Sequence, residues 1–297
     1  MGDELHFEKI ANGYWQCVMP DWTSFVSYVC TDMQSYQAFV WRGQRMSAWT
    51  LVPTLTRALK GDPSDPAEFL RHAVLTQEHL DRFKLSTRGR RGKSPRVLES
   101  DDDWWALAQH HGLATPLLDW TTSPFVAAFF AFMKEDPDQT DHRAVFALHS
   151  ETLINAAKSK ARAQDLEIRQ RFEDVRSGKV KPGLLDLFAG GKPPPKTEPE
   201  LAFIHPLTDE NERLVNQGGL FTRLASRVEN PSLEAWLVDS GDEENRGLEL
   251  IKFLIPNSER EKCLISLNRM NINHLTLFPD LGGASAHCNL ALEIEGY

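Results

Sequence analysis

The sequence lacks the patterns that most often reveal a metal centre, a phosphate loop or a disulfide framework. Its four cysteines show no CxxC spacing and no Cys/His ligand spacing, so we expect reduced thiols and no bound metal. It contains no HExxH motif, no Walker loop and no GxGxxG motif after a strand. These absences disfavour zinc hydrolase, P-loop and Rossmann functions.

The sequence also lacks a long hydrophobic segment. Its longest uninterrupted apolar run, residues 125–133, has nine residues, whereas a helix needs about 20 to cross a bilayer. The first residues show no basic region followed by an apolar stretch, which disfavours a secretory signal. We therefore expect a cytoplasmic protein that does not contact membranes.

The composition is that of a folded protein with an excess of acid. The 297 residues are 41% hydrophobic and 25% charged, which is typical of globular domains. The net charge of -9 disfavours a broad nucleic-acid-binding surface. One local exception is the segment 87–96, with five basic side chains and two glycines. It predicts a loop that either contacts a nucleic-acid backbone or is simply solvated.

Apolar runs between turn residues predict alternating strands and helices. Helices are expected at 69–83, 101–111, 125–133, 156–176 and 258–271, and strands at 38–43, 117–118, 144–149, 203–204, 219–221, 235–238 and 251–255. Residues 150–200 combine a charged helix with a Gly/Pro-rich stretch at 190–196. This composition predicts an insertion into a single domain.

Arg42 and Gly43 end one of the predicted strands. A guanidinium can hold a phosphate or a carboxylate at two points. Alternatively, Arg42 forms a structural ion pair with a buried acid. Gly43 allows a ligand or another stretch of backbone to approach closely.

A second group of polar residues lies where a strand turns into a helix. Asp119, Trp120, Thr121, Thr122 and Ser123 follow one another there, and such a turn can hold a polar or anionic group. The alternative is that Ser123 is only an N-cap and that Asp119 satisfies a turn.

Two further positions are candidates. Gln217 precedes a glycine pair and either contacts a ligand or fixes a loop. His110 and His111 end a predicted helix. Consecutive histidines point to different faces of a helix, so they are poor joint metal ligands.

Taken together, these motifs resemble the FRG-domain family, which is named for an aromatic-Arg-Gly motif. The matching segments are residues 39–57, 108–131, 213–222 and 277–281. This resemblance implies one domain over residues 1–297, with 150–200 as its insertion. The chain departs from the common pattern at Trp41, where Phe or Tyr is usual, and it lacks the arginine often found beside Asp119.

The order of the motifs is also similar to that of ADP-ribosyltransferases. This similarity implies an α+β fold with a split, bent, mixed or antiparallel β-sheet and flanking helices, and NAD as the substrate. It implies that Arg42 and Gly43 bind the NAD phosphates or ribose, and that Thr121, Thr122 and Ser123 bind the nicotinamide ribose. His111 and Trp120 would shape the pocket.

The implied reaction breaks an N-glycosidic bond through a cation-like transition state that a carboxylate stabilises. Arg42, Asp119 and Gln217 are the expected catalytic residues. Because Gln217 stands where such enzymes have Glu, Asp119 or Glu212 would supply the negative charge.

The expected function is an ADP-ribosyltransferase-like effector, such as a bacterial toxin or phage-defence protein, that modifies a protein or nucleic acid and has an antitoxin or regulatory partner. The alternatives are a non-catalytic nucleotide- or nucleic-acid-binding sensor module and an NAD glycohydrolase.

Overall fold

The computed structural model describes residues 5–10, 14–34, 38–62, 65–92, 97–135, 140–181, 199–205, 212–225, 232–240 and 249–297. Within these ranges the chain forms one mixed eight-stranded β-sheet with flanking helices. This architecture confirms the expected combination of a mixed sheet and flanking helices. The Gly/Pro-rich stretch 190–196 and the last part of the basic segment, residues 93–96, lie outside the described residues.

The strands lie side by side in the order β1-β2-β8-β5-β3-β4-β7-β6. Their bounds are β1 Phe7–Ile10, β2 Tyr14–Val18, β3 Phe39–Gln44, β4 Leu117–Thr121, β5 His142–His149, β6 Leu201–Ile204, β7 Gly219–Leu224 and β8 Leu250–Pro256. Strands β2 and β8 run parallel. The other neighbouring pairs run antiparallel.

Helices precede, connect and follow these strands. They are α1 Trp22–Thr31, α2 Thr54–Ala58, α3 Pro66–Ser86, α4 Asp101–His110, α5 Pro124–Phe132, α6 Ser150–Arg176, α7 Glu212–Gln217, α8 Leu233–Ser240, α9 Arg260–Arg269, α10 His274–Leu277 and α11 Leu281–Glu293. No helix in the described part of the chain is long and apolar enough to span a membrane.

The two faces of β3 pack against different cores because successive side chains of a strand point to opposite faces. Phe39 and Trp41 pack in a core cluster with α5. Val40 packs in a second cluster with residues of α6 and α8. Arg42 follows Val40 at two-residue spacing and therefore lies on the face of the second cluster.

Helix α5 packs in the core, as its sequence, apolar on every side, predicted. Ser123 caps its first turn, with Ser123 Oγ accepting from the Val126 N–H at 3.3 Å. Arg143, fully buried, donates through Nη1 to the carbonyls of Ala131 and Lys134, each at 3.0 Å. These bonds satisfy carbonyls that a helix end leaves without partners.

Two sequence predictions differ from the structure in informative ways. The predicted strand at 235–238 is wrong, because these residues lie in α8. A run of four apolar residues fits a buried strand and a buried helix equally well. The charged helix predicted at 156–176 begins earlier, at Ser150, and its buried residues are Leu153, Ala157 and Ala161. Its first turns therefore pack on the core.

Candidate functional site

A cleft lies where the sheet opens between β3 and β4. These two strands are paired only at Trp41 and Thr121, so residues 42–44 have no strand partner on the β4 side. The cleft at this opening has a volume of about 510 Å³, which is within the range of small-molecule sites. It is lined by Trp41, Arg42, Gly43, Gln44, Arg45, Trp49, Thr50, Val52, Arg57, Gln109, His110, Asp119, Trp120, Thr121, Ala127, Phe130, Met133, Lys134, Gln217, Gly219, Phe221 and Phe278.

Arg42 bridges the opening. Its Nη1 donates to the carbonyl oxygen of Asp119 at 2.8 Å and lies 3.5 Å from the Asp119 carboxylate. Its Nε is buried and has no hydrogen-bond partner. The guanidinium therefore joins β3 to β4 and keeps donor capacity for a ligand.

Asp119 presents a carboxylate to the cleft. Gln109 Nε2 donates to Asp119 Oδ2 at 2.8 Å, and the hydroxyl of Thr115 donates to Gln109 Oε1. The Asp119 side chain is 55% exposed. Among the described residues it is the only carboxylate in the cleft lining. A fixed, accessible carboxylate can stabilise a cation that develops on a bound substrate.

A network of hydrogen bonds joins the turn after β4 to two distant segments. Thr121 Oγ1 donates to the carbonyl of Gln217 at 2.5 Å and accepts from the Ser123 N–H at 3.1 Å. Gln217 Nε2 donates to the carbonyl of Leu277 at 3.0 Å. The amide of Gln217 thus fixes a loop, as one of the two sequence interpretations proposed. Its contact with a ligand stays a prediction.

Trp120 helps to wall the cleft. It is 3% exposed, and its Nε1 donates to Thr222 Oγ1 at 2.9 Å. Because Thr222 lies on β7, this bond locks the indole between β4 and β7. The orientation of the ring is therefore set before any ligand binds.

Three of the candidate residues do not line the cleft. His111 is exposed, and His110 lines the cleft instead. Successive residues at a helix end point in directions about 100° apart, so only one of the two histidines can face inward. Thr122 is exposed, and the Ser123 hydroxyl is used as the N-cap of α5.

Gly43 serves the packing of α5. A Cβ at this position would lie 1.9 Å from the carbonyl oxygen of Ala127 and 2.7 Å from the nitrogen of Ala131. Both neighbours are backbone atoms of a helix that cannot move aside cheaply. Gly43 is therefore required for the approach of another backbone, which was one of its two sequence interpretations.

The loop after β3 adds site residues that the sequence analysis did not select. Arg45 lies over the ring of Trp49, with its Cζ 5.5 Å from the ring centroid. Arg57 and Lys134 bring further positive charge to the cleft. The only sequence signal for this group was that Arg45, Trp49 and Arg57 fall inside the first FRG-like segment, residues 39–57.

Glu234 anchors this loop from α8. Its carboxylate accepts from the Leu51 N–H at 2.8 and 3.0 Å, and the Leu233 N–H donates to the Leu51 carbonyl at 3.1 Å. Burial raises the pKa of Glu234, while the Leu51 hydrogen bond and the nearby positive charges of Lys252 and Arg42 act in the opposite direction. Nothing in the sequence around Glu234 marks it as a partner of the loop.

No group of three or more His, Cys, Asp or Glu side chains in the described part of the chain could hold a metal ion. The donors that converge on the cleft are guanidinium, amide, hydroxyl and carboxylate groups. They suit a polar organic anion better than a bare cation.

One protein family matches the part of the chain that contains several residues of the cleft. The FRG domain family model matches residues 37–140. Residues 37–140 are an FRG domain. This FRG domain contains Arg42, Arg45, Asp119 and Thr121, whereas Gln217 and Leu277 lie outside it. No curated protein and no solved structure matches the chain.

Proposed function

We propose that the cleft binds NAD and that the protein is an ADP-ribosyltransferase-like enzyme that transfers ADP-ribose to a macromolecule. One observation carries the proposal: Arg42, Asp119 and the Thr121–Gln217 contact lie together at the opening of the sheet. These residues come from three separate segments that match the order of ADP-ribosyltransferase motifs. We also propose that the sheet and its helices form an ADP-ribosyltransferase-like fold.

The chemistry of the cleft suits a dinucleotide. NAD carries a diphosphate and two aromatic rings. Arginine side chains bind phosphates through paired donors, and Arg42 and Arg45 both line the cleft. The aromatic lining includes Trp49, Trp120 and Phe130, which offer flat apolar surfaces to rings.

The proposed reaction breaks the bond between the nicotinamide nitrogen and C1′ of the ribose. Nicotinamide leaves with the bonding electron pair and becomes neutral, and positive charge develops on the ribose. The Asp119 carboxylate stabilises that charge. A nucleophile of the acceptor then bonds to C1′ and gives up its proton to solvent.

The acceptor is a protein or a nucleic acid in this proposal. Helix α4 links the cleft, at Gln109, to a first turn that carries three aspartates, with Arg91 5.0 Å from the ring of Trp104. A role as a toxin or phage-defence effector with a regulatory partner belongs to the same proposal.

Binding without transfer is the second candidate, and the geometry of Gln217 favours it. Its amide is neutral, so it cannot act as a base or offer a full negative charge. Its Nε2 donates to the Leu277 carbonyl. A nucleotide sensor needs only the binding half of the site. An NAD glycohydrolase would need Asp119 and water in place of the acceptor.

Incubation with NAD labelled in its adenylate phosphate, in the presence of cell extract and nucleic acid, separates these functions. Label on a macromolecule supports transfer, free ADP-ribose supports hydrolysis, and unchanged NAD that co-purifies with the protein supports a sensor. Asp119→Asn keeps the shape of the side chain and should abolish turnover while NAD still binds. Asp32→Asn, at the end of α1, is the matched control and should behave like the wild type.

A further inference from the structure

The cleft carries more positive charge than NAD needs. Its lining has four cationic side chains, Arg42, Arg45, Arg57 and Lys134, against the single carboxylate of Asp119. The excess is therefore three positive charges. The whole chain has a net charge of -9, so this concentration of cations runs against its overall balance.

Bound NAD would leave most of that excess without a counter-charge. Its diphosphate carries two negative charges and its pyridinium ring one positive charge. A phosphate monoester adds about 1.5–2 negative charges near neutral pH. A dinucleotide with one additional phosphate would therefore balance the cleft closely.

Arg45 and Arg57 are the two arginines of the lining besides Arg42, and like Lys134 they form no ion pair with a carboxylate in the described part of the chain. Arg42 is already bound to Asp119. The Nε of Arg45 is buried and has no hydrogen-bond partner. A buried donor without a partner is costly, and an anion bound there would satisfy it.

Arg45 lies three residues after Arg42 in the chain. Three residues span at most about 10 Å of backbone, so side chains from both positions can reach one ligand in the cleft that they line. The contact with Trp49 orients the planar group of Arg45. The anchoring of Leu51 by Glu234 fixes the loop that carries Arg45 and Trp49.

We propose that the cleft selects a dinucleotide with a third phosphate, a monoester on the adenosine ribose as in NADP, and that Arg45 and Arg57 bind this phosphate. The inference rests on the proposed function and names the substrate class of the same site. Arg42 then serves the diphosphate, which both dinucleotides share.

Titration calorimetry with NADP and with NAD tests the proposal on the 297-residue chain. We expect NADP to bind at least about tenfold more tightly, which corresponds to one charged hydrogen bond. Arg45→Gln and Arg57→Gln should each reduce the ratio of the two affinities toward one. The ratio is informative even where a variant is partly unfolded, because unfolding lowers both affinities equally.

Arg82→Gln is the matched control. This arginine lies on α3, pairs with Glu78 at 3.2 Å and has a side chain that is 77% exposed. The substitution removes one positive charge outside the cleft lining, so the preference for NADP should remain. A preference that falls equally in Arg82→Gln and in Arg45→Gln would overturn the assignment, because overall charge alone would then explain it.

The remaining outcomes are distinct. Equal affinity of the wild type for NAD and NADP would overturn this inference and leave the proposed function standing. A preference for NADP that survives in both Arg45→Gln and Arg57→Gln would also overturn it. Failure of both dinucleotides to bind would overturn the proposed function together with the inference.

Discussion

Arg42 connects β3 to β4 where the backbone hydrogen bonds between these two strands stop. Beyond the Trp41–Thr121 pair, β3 and β4 share no strand pairing, and the guanidinium reaches across to the Asp119 carbonyl. The Asp119 side chain is 55% exposed, and the charge of Arg42 also acts on the buried carboxyl of Glu234, so the alternative of a structural partnership with a buried acid stays a prediction. The arginine therefore has a structural bond to the backbone and an open face toward the cleft.

Arg42→Lys should separate these two roles. Lysine keeps the charge and can still donate to the Asp119 carbonyl, but it lacks the planar fork. We expect nucleotide affinity to fall about ten- to a hundredfold, with little change in melting temperature. Calorimetry and thermal denaturation on the same sample measure both. A destabilised variant whose folded fraction binds normally would contradict the binding role.

Glu234 acts on the cleft only through the loop that it holds. Glu234→Ala leaves the buried Leu51 N–H without its acceptor, and such a loss costs about 1–3 kcal/mol. Glu234→Gln retains an acceptor oxygen and should cost far less. Chemical denaturation gives the comparison. Equal destabilisation by the two substitutions would show that the Leu51 contact is not what Glu234 contributes.

The pH dependence of the same residue follows from its environment. Burial raises the pKa of Glu234 above its ordinary value of 4.5, so the folded protein binds this proton more tightly than the unfolded chain does. The stabilisation is complete below pH 4.5 and is lost as the pH rises through the folded pKa. The stability of the wild type relative to Glu234→Gln should therefore increase as the pH falls from neutral toward that value.

At the scale of elements, the sequence predicts best where two signals agree. Helix α5 has both an N-cap, Ser123, and an apolar run of helical length, and it forms as expected. The run at 235–238 has only its apolar character, and the structure places it in α8. A second signal was present in Ser232, whose Oγ accepts from the Ala235 N–H at 3.1 Å, as a residue at a helix start does.

The end of α5 depends on a residue from another element. Arg143→Met removes a buried guanidinium that binds the carbonyls of Ala131 and Lys134. We expect a loss of at least about 1.5–3 kcal/mol, the cost of a hydrogen bond to a charged group. Thermal denaturation measures it. Arg169→Met removes an exposed ion pair with Asp165 on α6 and should cost less than about 1 kcal/mol.

At the scale of the whole molecule, the sequence predicts several residues of the cleft but not the long-range contacts that hold the cleft in place. It identifies Arg42, Asp119 and Gln217 from local patterns, and the structure brings all three to one cleft. It does not identify the link between Glu234 and Leu51, because 183 positions separate them and neither has an unusual neighbourhood in sequence. Contacts of this kind depend on the order of strands in the sheet, which no local pattern encodes.

The opening of the sheet has a consequence for the exchange of its amide hydrogens. Strands β4, β7 and β6 join the rest of the sheet at one residue pair and through the Arg42–Asp119 contact. A ligand bound across the opening contacts both sides, so it should slow local opening on both.

We expect amide exchange to slow together in residues 42–44 of β3 and 118–121 of β4 when the dinucleotide binds. Strand β1, at the edge of the sheet, serves as the internal control and should exchange at an unchanged rate. Protection confined to one side of the opening, measured by mass spectrometry or NMR, would mean that the ligand does not span the cleft.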